Sequence, residues 1–193
     1  LTLAGQERWP VEALIRAYSE VFSAQDDVFL LIWVIESRID LQKRIAALAL
    51  PENGPPVGLV YARRLPGYQW GAFYRSADCF VLPTRGEGWG MPILQAMACG
   101  LPVIATDWGG HTDYMAANIS YPLRVEKLVP ASRGAGQWAE PDGKHLRELL
   151  RHVYEHRQEA QQRGLAASAA ILAHWTWRHA AQRIKNRLLE IRV

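Results

Sequence analysis

Short apolar runs alternate along this chain with longer stretches in which apolar residues return every third or fourth position. The unbroken run Val28–Val34 predicts a strand buried on both faces of a parallel sheet, and Val57–Tyr61, Cys79–Pro83 and Pro102–Thr106 read as strands too. Leu1–Gly5 reads as the tail of a strand ending in glycine, and Ile119–Leu123 as a short last strand. Between the runs, Val11, Leu14, Ile15, Tyr18, Val21 and Phe22 form a helical stripe after Pro10, a residue suited to a helix start. Ile39–Leu50 and Trp70–Ser76 have helical spacing as well, with the breaker Pro51–Pro56 between them. Beyond residue 144, His145–Arg163 carries Leu146, Leu149, Leu150, Val153 and Tyr154 on one face, and a further helix is predicted over Leu165–Leu172. Thr176 is a good N-cap for a last helix bearing Ala180, Ala181, Ile184, Leu188 and Ile191. Residues 124–144 show neither period and are expected to be irregular. Strands that alternate with helices predict an α/β fold, a Rossmann-like doubly wound parallel sheet flanked by helices.

The centre of the pattern is Arg85–Gly100. One apolar run enters it and another leaves it, so it is the loop and helix of a βαβ unit. Its glycines, Gly86, Gly88 and Gly90, fall between the strand's C-terminal end and the helix's N-terminus, where open α/β sheets bind ligands. Free N–H groups and a positive dipole end favour an anion there. A second glycine pair, Gly109–Gly110, follows the next strand and opens on the same edge.

Composition narrows the classes. With 193 residues, 49% of them hydrophobic, the chain suits one domain over 1–193, with the helices of 145–193 packing on it. No apolar run has the length of a membrane span, and no secretory signal pattern is visible. The net charge of +3 is spread among acids, as a solvated surface rather than a nucleic-acid patch. Two cysteines, Cys79 and Cys99, look like buried thiols of a reducing compartment, so a cytoplasmic location is expected. No metal-ligand spacing appears. Of the eight Trp residues, Trp89 stands apart, since it lies between two glycines where it would line a ligand.

Ser76–Pro92, continued by Gln95–Thr106 and Gly109–Met115, resembles the donor-binding core of family 4 glycosyltransferases, retaining enzymes of the GT-B fold. The likeness is close over roughly residues 70–123 and looser elsewhere. It implies the C-terminal half of a GT-B fold, with a nucleoside-diphosphate sugar as substrate, no cofactor, no metal, and a separate N-terminal Rossmann domain that holds the acceptor. In that family two carboxylates, eight positions apart, bracket the loop. Glu87 matches the first, which contacts the transferred sugar, and Gln95 stands where the second would hold the ribose. The resemblance also implies donor binding by Gly88, Trp89, Gly90, Met91 and Pro92, a base contact from the backbone near Leu65, and a cation from Arg8 toward the diphosphate. The family's usual Arg–Lys pair after the first strand is not visible. Arg63 and Arg64 lie in another strand-end loop that can face the same cleft, and Arg85 faces either the phosphate or solvent. Glu87 has a second reading as a carboxylate capping the helix; Asp113 falls where the resembled family often has an acidic or polar residue near the sugar, and reads otherwise as a cap after Gly110. Two further readings stay open. One is a degenerate, non-catalytic binding or interaction domain. The other, an epimerase on the same fold, fits the flanking sequence less well. An isolated half would expose its interdomain face and is open to self-association.

Overall fold

The computed structural model describes residues 1–4, 8–34, 40–61, 65–132 and 136–191. The expected loop residues Gly5, Gln6 and Glu7, and the arginines Arg63 and Arg64, lie outside them.

Two sets of three parallel strands build the sheet. β1 (Thr2–Ala4), β2 (Leu30–Val34) and β3 (Val57–Val60) pair in that order, with Thr2 opposite Ile32 and Ile32 opposite Leu59. β4 (Phe80–Leu82), β5 (Val103–Thr106) and β6 (Tyr121–Leu123) form the second set. The two sets meet edge to edge. Leu1 N–H donates to Cys79 O at 2.8 Å, and Val81 N–H donates to Leu1 O at 2.8 Å. That is the bonding pattern of a parallel pair with Leu1 opposite Phe80. The strand order is therefore 3-2-1-4-5-6, and it reverses between β1 and β4. Such a reversal leaves a crevice at the carboxyl ends of the two central strands, because their following chains leave to opposite sides.

Alternate residues of each strand face opposite helical layers. Phe80, Leu82, Val103 and Ala105 join one core with Ile93, Ala96 and Met97 of α4 (Met91–Ala98) and Ala167 and Ile171 of α6 (Arg157–His174). Val81 and Ile104 join the other, with Leu14, Ile15 and Tyr18 of α1 (Val11–Val21) and Leu146 and Leu150 of α5 (Gly143–Glu155). α2 (Leu41–Ala46) and α3 (Trp70–Arg75) complete the layers, and Asp40 caps α2 by accepting from Lys43 N–H at 3.0 Å. Asp142 caps α5 in the same way, accepting from His145 N–H at 3.0 Å.

Three elements differ from expectation. Residues 124–144 are not irregular but carry an antiparallel hairpin, β7 (Val125–Pro130) and β8 (Gln137–Pro141). Its period was hidden by a register shift between Val125 and Lys127. The helix after the second glycine pair is one 3₁₀ turn, Gly110–Asp113. The C-terminal helical region breaks at His156 (φ −113°, ψ 48°), ahead of the predicted end at Arg163, so α6 absorbs the segment 165–172.

The last helix, α7 (Trp177–Ile191), has no buried residue, and Ile184, Leu188, Leu189 and Ile191 are exposed. Thr176 precedes it, but its hydroxyl meets the His179 ring at 2.8 Å, and that ring nitrogen takes the Thr176 N–H at 3.3 Å. Among the described residues, no helix is long and apolar enough to cross a membrane.

Candidate functional site

Three loops meet at the crevice between β1 and β4, and main-chain bonds tie them together. Arg85 N–H after β4 donates to Arg8 O after β1 at 2.7 Å. Gly110 N–H after β5 donates to Glu87 O at 2.8 Å. Glycine is needed at the second junction, because a Cβ on Gly109 would stand 2.7 Å from Glu87 O and one on Gly110 would overlap the Gly88 carbonyl. The β7–β8 hairpin braces the same loop from outside. Ala139 N–H donates to Arg85 O at 2.9 Å, and the Arg85 side chain pairs with Glu140 at 2.8 Å. Arg85 is thus turned to the hairpin rather than left open to a phosphate.

Glu87 sits at the point of convergence, 8% exposed. Its Oε1 accepts the indole N–H of Trp9 at 2.5 Å and lies 3.6 Å from Arg8 Nε. Among the described residues, Oε2 accepts no hydrogen bond. A carboxylate at a helix start would ordinarily cap it, yet no side chain caps α4. The capping role expected as an alternative for Glu87 is not what it does, since Trp9 holds the carboxylate instead.

Gly90 is the N-cap of α4, with φ +75°, a left-handed conformation in which a Cβ would lie 2.9 Å from the Tyr114 hydroxyl oxygen and from His111 Cβ. Pro92 falls in the first turn, where its missing N–H is no loss. Tyr114 is buried, and its hydroxyl reaches both Trp89 O (2.7 Å) and Gly90 O (2.8 Å). In a trans peptide the N–H points opposite to the carbonyl before it. By drawing those two carbonyls inward, Tyr114 turns the N–H groups of Gly90 and Met91 away from itself. A first helical turn has no carbonyl four residues back, so these donors are available to an anion. Burial pushes the Tyr114 phenol well above its ordinary value, so it stays a neutral donor.

Trp89 does not stand free over the loop. Its ring packs against Tyr114 at 5.4 Å and Trp175 at 5.5 Å, and is 38% exposed. Gln95, one turn into α4 and half-buried, accepts the Tyr74 hydroxyl at 3.2 Å on Oε1. The Tyr74 phenol is held protonated by burial, so it donates and leaves the Gln95 amide N–H₂ for a ligand. Leu65 is half-buried against the α4-side core. Asp113 is exposed at the end of the 3₁₀ turn.

His111 is fully buried. Its Nε2 lies 2.6 Å from Thr106 O, and a carbonyl only accepts, so Nε2 carries the proton. Nδ1 is then a buried acceptor without a partner among the described residues, as is the neighbouring Thr106 hydroxyl. Burial pulls the imidazole pKa down against the raising effects of the Thr106 carbonyl, Glu87 and Asp107. His111 is a neutral strut beneath the loop.

The structure brings Arg8, Glu87 and the start of α4 together, with Gln95 one turn further on. Sequence reasoning missed Trp9, Tyr74 and Tyr114. The signal for Trp9 was its place in a loop after β1, beside the point where the strand order reverses. Among the described residues, no cluster of His, Cys, Asp and Glu could hold a metal ion.

The sequence profile of the family "Glycosyl transferases group 1" matches residues 2–140. A GDP-mannose-dependent monoacylated alpha-(1-6)-phosphatidylinositol monomannoside mannosyltransferase of Corynebacterium glutamicum is 30% identical over 182 residues, covering 91% of this chain and 42% of that protein. A D-inositol 3-phosphate glycosyltransferase of an Arthrobacter species is 32% identical over 107 residues, 51% of this chain and 24% of the relative. Anabaena HepE, solved in complex with UDP and glucose, superposes with a TM-score of 0.74 at 17% identity, over 98% of this chain and 47% of its own. The chain thus spans less than half the length of these relatives.

Proposed function

This chain belongs to the group 1 glycosyl transferases, and we propose that it is the donor-binding half of a retaining, metal-independent enzyme that transfers a hexose from a nucleoside-diphosphate sugar. The observation that carries the reading is a buried carboxylate, Glu87, beside an uncapped helix N-terminus at the crevice where the strand order reverses. The two groups suit the two ends of such a donor. The diphosphate gains negative charge as its bond to the sugar breaks. The outward N–H groups of Gly90 and Met91, the α4 dipole and Arg8 supply fixed positive charge at that point, without a metal ion. Gly88 and Pro92 keep the loop backbone open to close approach. Glu87 takes a sugar hydroxyl and fixes the anomeric carbon over the leaving group. Gln95 meets the ribose, and the backbone near Leu65 meets the base. The relative named for GDP-mannose and the structure solved with UDP and glucose support a donor of this class.

The acceptor side is assigned to a separate N-terminal Rossmann domain. Two facts support it: the chain spans under half of its relatives, and α7 exposes Ile184, Leu188 and Ile191 along one face, where none of the described residues buries them. In the absence of that partner the same face favours self-association. The free thiols of Cys79 and Cys99 suit a cytoplasmic protein.

Calorimetric titration with GDP, UDP, GDP-mannose and UDP-glucose tests the reading. Saturable binding of at least one nucleotide, unaltered by EDTA, is expected. Failure of all four to bind at millimolar concentration overturns it. The second reading, a degenerate non-catalytic domain, is favoured by one observation, the neutral Gln95 with its carbonyl already taken by Tyr74. It gains if the full-length protein binds donor yet neither transfers nor hydrolyses it.

A further inference from the structure

Glu87 is held by a contact that neither its own loop nor its own helix provides. Trp9 lies 78 residues earlier in the chain, in the loop after β1, and is 5% exposed. Its ring belongs to the α4-side core, while its one polar atom, Nε1, reaches Glu87 Oε1 at 2.5 Å. An indole N–H only donates and a buried carboxylate needs donors, so the pair satisfies both groups at once. The same loop brings Arg8 Nε to 3.6 Å from the same oxygen, too far for a hydrogen bond but within range of charge attraction. Main-chain bonds hold both loops in place, Arg85 N–H to Arg8 O on one side and Gly110 N–H to Glu87 O on the other. Both described contacts therefore fall on Oε1. The carboxylate cannot rotate without losing the Trp9 bond, and Oε2 is the oxygen left for a ligand.

We propose that Trp9 is a positioning residue: its indole N–H pins Oε1 of Glu87 so that Oε2 is presented to the hexose of the bound donor. The inference rests on the donor-site reading given above and extends it to a residue that does not touch the ligand. The Trp9 N–H governs recognition of the sugar and not of the nucleotide, because it bonds Glu87 rather than α4 or Arg8; the ring, over which Arg8 Cζ sits at 5.8 Å, is a separate contact that an aromatic replacement keeps.

Trp9→Phe removes the N–H and keeps an aromatic ring in the core. Affinity is measured by calorimetry for UDP, UDP-glucose, GDP and GDP-mannose, on the wild-type chain, on W9F, on E87Q and on the double variant. In W9F the sugar nucleotide that binds the wild type should weaken about tenfold, as for a lost hydrogen bond to a charged group, while its nucleoside diphosphate stays within about threefold. E87Q should show the same selective loss, and the double variant should be no worse than E87Q alone, because the two residues act through one contact. Equal weakening of diphosphate and sugar nucleotide in W9F would make Trp9 a packing residue only and overturn the proposal, as would additive losses. A wild-type chain that binds diphosphate and sugar nucleotide equally well also overturns it, and leaves the nucleotide site standing. A wild type that binds none of the four overturns the donor-site reading itself. If W9F does not fold, the contact is read in the wild type by the indole N–H resonance of Trp9. That proton should lie downfield of those of the other seven tryptophans and move in E87Q, and a resonance indifferent to E87Q overturns the proposal.

Discussion

Gly110→Ala is the sharpest test of how the crevice is assembled. A Cβ at this position would overlap the Gly88 carbonyl oxygen and stand 2.8 Å from its carbon and 3.4 Å from Trp89 Cα. All three are main-chain atoms, so no rotamer change relieves the overlap. The β5 loop must retreat, and the Gly110 N–H bond to Glu87 O (2.8 Å) is lost with it. The lost bond costs about 1 kcal/mol, and forcing extra volume into a packed contact costs about 1–3 kcal/mol. The sum, roughly 2–4 kcal/mol, corresponds to a fall in Tm of about 5–15 °C for a domain of this size. Thermal melting followed by circular dichroism reads it directly. Two glycines serve as controls, because a Cβ on Gly67 or Gly88 meets nothing within 4 Å. G67A and G88A should stay within about 0.5 kcal/mol of wild type. G88A should nonetheless weaken nucleoside diphosphate binding, since its methyl projects into the open space over the loop. A G110A variant that melts within about 1 °C of wild type would refute the contact between the two glycine loops, and with it the account of how Glu87 is placed.

Other substitutions probe the parts separately. Tyr114→Phe removes the donor shared by Trp89 O and Gly90 O; it should cost about 1–2 kcal/mol in urea unfolding and weaken diphosphate binding by releasing the N–H groups of Gly90 and Met91. His111 is held neutral by burial, with its folded pKa below the ordinary 6.5, so the unfolded chain binds the extra proton first. Its contribution to stability is present above 6.5 and lost as pH falls through the folded value. The loss of stability between about pH 7.5 and 5.5 should accordingly be shallower in His111→Asn than in wild type; His145, whose pKa is also lowered, stays in both proteins and cancels in the comparison. Gln95→Glu places a charged acceptor where the proposed site meets the ribose and should raise nucleoside diphosphate affinity about fivefold in calorimetry; unchanged affinity would remove Gln95 from the site.

Much of this architecture was legible because burial on both sheet faces leaves unbroken apolar runs. Phe80–Leu82 and Val103–Thr106 are buried throughout, and their runs were visible without a structure. The α1 stripe was visible for the complementary reason, since one face of that helix is wet. The β7–β8 hairpin was not legible. Glu126, Lys127, Leu128 and Pro130 are all exposed, so neither face of β7 is dry enough to impose a period of two; β8 buries only Ala139 and Pro141, too few to stand out, and the register shift breaks what remains. The helix break at His156 was equally silent, with neither glycine nor proline to mark it. In the site, the glycines and Glu87 stood out because they are close in sequence. The residues that hold them come from other loops and strands. In the sequence Trp9 is one residue of a loop and Tyr74 one of a short helix, and only the fold shows that each aims its single polar atom at a site residue.

Main-chain bonds tie the three crevice loops to one another and to the hairpin: Arg85 N–H to Arg8 O, Gly110 N–H to Glu87 O, Ala139 N–H to Arg85 O. Every non-proline residue carries the same amide and the same carbonyl. The frame of the cleft is therefore largely blind to which side chains decorate it, outside the glycines, Thr84, Tyr114 and the Arg85–Glu140 pair. Substitutions at Arg8 or Gln95 can alter what the cleft prefers while its walls stay where they are, so changes in ligand choice and survival of the fold are under largely separate control.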